Sequence, residues 1–131
     1  PIILCMEKAI FILSVFIFFV LAGCSNKETK QRREVSIAYA NAMAQQDYET
    51  AKKYCTEESK KKIDYIKGVG IEQQTKVTRS KYIFVSETVY DNKATIKLKD
   101  AANQNQEVEI FLKKQNGKWL VTIENQENFM K

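Results

Sequence analysis

The chain holds no histidine, one proline, four glycines and one tryptophan among 131 residues. Without histidine it lacks the one side chain that ordinarily titrates between pH 5 and 8. A Ser/His/Asp triad is therefore excluded, and proton transfer near neutral pH would need an Asp or Glu with a raised pKa. Histidine-ligated zinc is excluded too, and the acidic residues show no calcium-loop spacing. No glycine-rich phosphate loop is present. Two of the three cysteines, Cys5 and Cys24, fall in the first 24 residues, which leaves Cys55 alone in the remainder. A lone cysteine builds no disulfide framework. With no histidine to activate it, Cys55 reads as a small core residue rather than a nucleophile. These patterns call for no metal and no cofactor.

The long apolar run lies at the start. The chain opens on Pro1, and the reading places the start of translation at Met6. A charged MEK is followed by AIFILSVFIFFV and the small-residue exit LAG, the layout of a cleaved secretory signal. A membrane span needs about 20 apolar residues, whereas residues 9–23 supply 15, bounded in front by Glu7 and Lys8. The run ends in FFVLAGCSN.

Within it, Leu21-Ala22-Gly23-Cys24 resembles the lipobox of bacterial lipoproteins. The resemblance implies cleavage after Gly23, a diacylglyceryl group on the Cys24 thiol, and acylation of the freed amine by palmitate-class chains. Two chains give stable anchoring where one is marginal, each buried methylene contributing about 0.8 kcal/mol. It also implies a bacterial envelope protein, anchored to a membrane through Cys24 and facing away from the cytoplasm. Its partners would be membrane lipid and an envelope protein or small apolar ligand, not nucleic acid. The net charge of +5 then reads as a solvated basic surface, with weak attraction to anionic headgroups second.

Residues 1–23 are assigned to the signal peptide, 24–34 to a lipidated tether and 35–131 to one folded domain. The tether, SNKETKQRRE after the cysteine, is polar without apolar period. Val35, Ala38, Tyr39, Ala42 and Met43 then recur at helical spacing. Gln45-Gln46 breaks the pattern, and Asp47 stands where a helix N-cap belongs, with Glu49 in the first turn. Thr56 caps a further short helix, with Ile63 and Ile66 inward and Gly68 and Gly70 at its end. Everything after Gly70 reads as strand.

Two hairpins follow from turn chemistry. An Asp91-Asn92 turn pairs Tyr90 with Lys93, Val89 with Ala94, Val85 with Leu98 and Ile83 with Asp100. Asn116-Gly117 pairs Gln115 with Lys118, Leu112 with Val121 and Ile110 with Ile123. Each register collects apolar residues on one face, so turn and pattern agree. Tyr82, Phe84 and Phe111 fall on the opposite, lysine- and glutamate-rich face. The expected fold is α+β, with two or three N-terminal helices packed on a curved antiparallel four-stranded sheet.

Helix, QQDY break, helix and hairpins together resemble the nuclear-transport-factor-2-like (cystatin-like) fold, a cone found as an uncharacterised domain in bacterial lipoproteins. The resemblance covers roughly residues 35–124 and implies a pocket between helices and sheet, here lined by Tyr39, Tyr54, Glu87 and Trp119. Ketosteroid isomerase uses that pocket with a tyrosine eight residues before an aspartate like Asp47, the spacing of Tyr39. The leading reading is a non-catalytic lipoprotein that binds a partner protein or a small apolar ligand, with no catalytic residue assigned. The alternatives are an isomerase or dehydratase using Tyr39 with Asp64 or Glu87, and a structural, assembly or immunity lipoprotein marked by an apolar patch at Tyr82, Phe84 and Phe111. Glu87 is the anomaly: its register puts a carboxylate among Val85, Val89 and Ile96, a costly place unless it sits at a wet rim, is turned outward by a bulge, or is a polar spot in a pocket.

Overall fold

The computed structural model describes residues 26–69 and 81–124. The expected signal peptide, the lipobox-like stretch with Gly23 and Cys24, and Gly70 lie outside the described residues. The chain divides into two units, Pro1–Gln31 and Arg32–Lys131. Of the first, the described residues 26–31 are helical, and helical backbone continues to residue 44 as α1. Residues 26–34 of the stretch expected to be a flexible tether are thus helical, and helical backbone is present before Val35. NKETKQRRE lacks apolar residues, but its Lys, Glu, Gln and Arg are good helix formers.

The second unit is an α+β domain whose helices pack on an open four-stranded antiparallel sheet in the order β1-β2-β3-β4. After α1 come α2 (Tyr48–Lys52), α3 (Glu57–Gly68), β1 (Tyr82–Tyr90), β2 (Lys93–Asp100), β3 (Glu107–Gln115) and β4 (Lys118–Val121). Gln46 takes a positive φ of 56° at the break after α1. Asp47 caps α2 by accepting the Thr50 N–H, and Thr56 caps α3 by accepting the Ser59 N–H. The buried side of α1 carries Arg32, Ser36, Tyr39, Ala40 and Ala42, with Val35 and Met43 only partly buried. Two polar residues therefore begin the inward stripe, and the hydrophobic pattern alone did not show them.

The second hairpin follows its turn. Asn116 and Gly117 both have positive φ, and Gln115 pairs with Lys118 and Leu112 with Val121. The ladder ends there, so Ile110 does not pair with Ile123. Ile123 is taken instead by α3: its N–H donates to Ser59 Oγ at 2.8 Å and its carbonyl accepts from Lys62 Nζ at 2.6 Å. The free side of β4 is covered by the α2–α3 connection, where the Thr56 N–H donates to the Val121 carbonyl and the Val121 N–H to the Tyr54 carbonyl.

The first hairpin follows the expected register from Tyr90 opposite Lys93 to Ser86 opposite Lys97, then shifts by one residue. Val85 is the extra residue of a bulge, and beyond it Phe84 faces Leu98, Ile83 faces Lys99 and Tyr82 faces Asp100. The pairings of Val85 with Leu98 and Ile83 with Asp100 are corrected. The shift exchanges faces. Tyr82 and Phe84 turn inward and pack against the core, while Ile83 and Val85 are exposed. Glu87 lies between bulge and turn, so it stays on the core side opposite Ile96.

Candidate functional site

Ile96, Leu98, Leu112, Trp119 and Val121 form the inner face of the sheet, closed by Tyr39 and Ala40 of α1 and by Ile63 of α3. Arg32 enters this apolar layer, with its side chain 8% exposed and that of Glu87 18%. The guanidinium meets the carboxylate in two places, Nε to Oε2 at 3.1 Å and Nη2 to Oε1 at 3.3 Å. Its Cζ also lies 5.1 Å from the centroid of the Trp119 ring, a cation–π distance. Glu87 is on β1 and Trp119 on β4. Strands spaced about 4.8 Å apart put those two strands some 14 Å from each other. One guanidinium therefore gathers side chains from both margins of the sheet over β2 and β3. One residue on, Arg33 stacks on Phe84 at 3.9 Å, and Asn41 Oδ1 accepts the Tyr82 N–H at 2.9 Å.

Of the four residues expected to line a pocket, Glu87 and Trp119 come together, joined by Arg32. Tyr54 is half-buried beside the core. Tyr39 is a core residue, its hydroxyl pushed up to about 12 chiefly by burial. It stands seven residues, about 10 Å along the helix, from Arg32. Asp64 is in solvent, paired with Lys52 at 2.8 Å. Tyr39, Asp64 and Glu87 thus do not converge on one cavity, as an isomerase or dehydratase built from them would require. Nor does the apolar patch form as expected, since Tyr82 and Phe84 face the core and Phe111 lies across the sheet from them. Cys55 is buried, with its thiol pushed up to about 12 by desolvation, the state of a packed residue rather than a nucleophile.

Trp119 adds one unmatched group. It is 2% exposed, and its Nε1–H finds no acceptor among the described residues. An unmet buried donor costs about 1–3 kcal/mol. Arg32 is hidden in the sequence because it lies in the polar stretch that composition assigns to the tether. The available signal was the spacing Arg32, Ser36, Tyr39, Ala40, which is helical but opens on polar residues.

A second feature lies between α2 and α3, an open groove of about 440 Å³ lined wholly by charged side chains. Its carboxylates are matched: Glu49 by Lys52 at 3.0 Å and Lys67 at 3.3 Å, Asp64 by Lys52, and Glu57 by Lys60 at 2.6 Å. The hydrogen bond from Lys52 holds the Glu49 carboxyl below the usual carboxylate range, and the bond to Asp64 raises Lys52.

Among the described residues no helix is long and apolar enough to cross a membrane, and no cluster of His, Cys, Asp and Glu is arranged to hold a metal. Comparison with protein-family models, with curated proteins and with solved structures found no match to the chain.

Proposed function

We propose that the chain is a membrane-anchored envelope lipoprotein, tethered through Cys24, whose α+β domain of nuclear-transport-factor-2-like type works by binding a partner protein rather than by catalysis. The observation that carries this reading is Leu21-Ala22-Gly23-Cys24 placed directly after a charged start and a short apolar run. A thiol at that point has a chemical use as lipid acceptor, and an anchored domain meets its partners at an envelope surface. The helix-facing side of the sheet supports a protein partner over an apolar ligand, because Trp119, Ile96, Leu98 and the Arg32–Glu87 pair occupy it. The test is labelling with a radioactive fatty acid in a bacterial host. Label in the full chain and none in Cys24→Ser is the expected result; equal label in both, or none in either, refutes the anchor.

One observation favours a second reading, a small apolar ligand bearing a single acceptor oxygen. Trp119 Nε1–H is buried beside Arg32 and has no acceptor among the described residues, and such a ligand would complete it. Solvent extraction of protein purified from its own envelope, followed by mass spectrometry, should recover the compound from the wild type and lose it in Trp119→Phe. Nothing recovered from either removes this reading.

A further inference from the structure

The groove between α2 and α3 holds more ammonium groups than its acids use. Glu49, Glu57 and Asp64 are each met by Lys52, Lys60 or Lys67. Lys53 and Lys61 line the same groove, are exposed, and make no ion pair or side-chain hydrogen bond among the described residues. The paired charges cancel at close range and the Asp47 carboxylate offsets part of the Lys53 charge, so the field that an incoming ion meets is set by Lys61 and by what remains of Lys53. Both stand on helical turns held in place by side-chain caps at Asp47 and Thr56, so their bases are fixed while their heads are open to water.

We propose that this groove binds a phosphate group, with Lys53 and Lys61 as its ligands. Two cations with no hydrogen-bonded acid among the described residues, facing one open groove, favour an anion that carries charge on several oxygens, and lysine meets phosphate as a point charge without needing a planar partner. A groove of about 440 Å³ has room for the alcohol esterified to the phosphate as well. The anion is a free phosphate ester or the headgroup of an anionic lipid. The site is built from residues 49–64 and stands whether or not Cys24 is acylated.

The test uses the full chain in neutral detergent micelles, with inorganic phosphate in one arm and micelles doped with phosphatidylglycerol in the other. Lysine ammonium resonances report binding. Phosphate should shift Lys53 and Lys61 and leave Lys81 and Lys118 in place. Each surface lysine strengthens attraction to anionic headgroups about fivefold, so Lys53→Gln with Lys61→Gln should weaken binding by about 25-fold. Lys81→Gln with Lys118→Gln removes the same charge from exposed positions outside the groove's lining and should weaken binding clearly less than the groove pair does. Tighter binding in the phosphatidylglycerol arm assigns the site to lipid, and equal binding assigns it to free phosphate. Equal losses in the two double variants would show a general charge effect and overturn the site, as would absence of binding in both arms.

Discussion

Removing the Glu87 carboxylate tests the centre of the molecule. Arg32 sits almost wholly out of water, with its two hydrogen bonds to Glu87 and the Trp119 ring beside it. Breaking a buried pair from one side costs about 3–5 kcal/mol, because the remaining charge keeps its desolvation cost and loses its partner. The 18% exposure of Glu87 admits some water to the broken pair, which places Glu87→Leu at the low end, about 3 kcal/mol. For a domain near 100 residues that is a fall in Tm of about 12–24 °C. Replacing both members, Arg32→Met with Glu87→Leu, puts apolar surface against Phe84, Ile96 and Trp119 and should cost no more than about 1 kcal/mol. Arg32→Met alone is a less clean probe, since Arg32 makes a further interaction besides these. Urea unfolding followed by the emission of the single tryptophan, itself in the site, reports all three variants. A Glu87→Leu cost under about 1 kcal/mol would mean a solvated pair. A double variant as damaged as the sum of the singles would mean no coupling. Either result refutes the account.

Two further outcomes are expected. Cys55 and Tyr39 both stay protonated in the fold up to about 12, against ordinary values of 9.0 and 10.0. Above those ordinary values the unfolded chain releases protons that the folded one keeps, so stability is full below pH 9 and falls as pH rises. The loss is about 3–4 kcal/mol by pH 11, and alkaline urea titrations of the wild type and of Cys55→Ala should show the thiol's share disappear in the variant. Deleting Val85 removes the residue without a partner and leaves Phe84 opposite Leu98 and Ser86 opposite Lys97. Cross-strand proton contacts at those two pairs should persist, whereas deleting Thr88 should turn the strand's faces over and unfold the domain.

What the sequence disclosed was local. Asp47 and Thr56 announce their helices because a capping side chain acts on the backbone two or three residues away. Asn116-Gly117 fixes its hairpin because both positions need positive φ. The same arithmetic failed past Ser86, because a bulge leaves no mark in alternation when exposed Ile83 and Val85 are as apolar as inward Tyr82 and Phe84. Glu87 was legible as an anomaly, and its explanation was not. Its partner is 55 residues away on α1, in a stretch whose composition reads as solvated chain. A long-range ion pair has no sequence spacing, and a buried arginine looks the same in the sequence as an exposed one. The charged groove escaped for a related reason: its lysines lie on two helices whose antiparallel pairing brings Lys52 to Asp64 and Lys67 to Glu49.

The irregularity at Val85 bears on how this domain survives at high concentration. Among the described residues β1 ends the sheet's order, and it carries the exposed side chains of Ile83, Val85 and Val89, the composition of a strand that recruits copies of itself. An inserted residue bends such a strand, and Asn41 occupies the amide of Tyr82 at its start. Together they deny an incoming chain a straight row of donors and acceptors. By the same reasoning, a variant smoothed at this point would keep its fold and lose its protection against amyloid-like stacking.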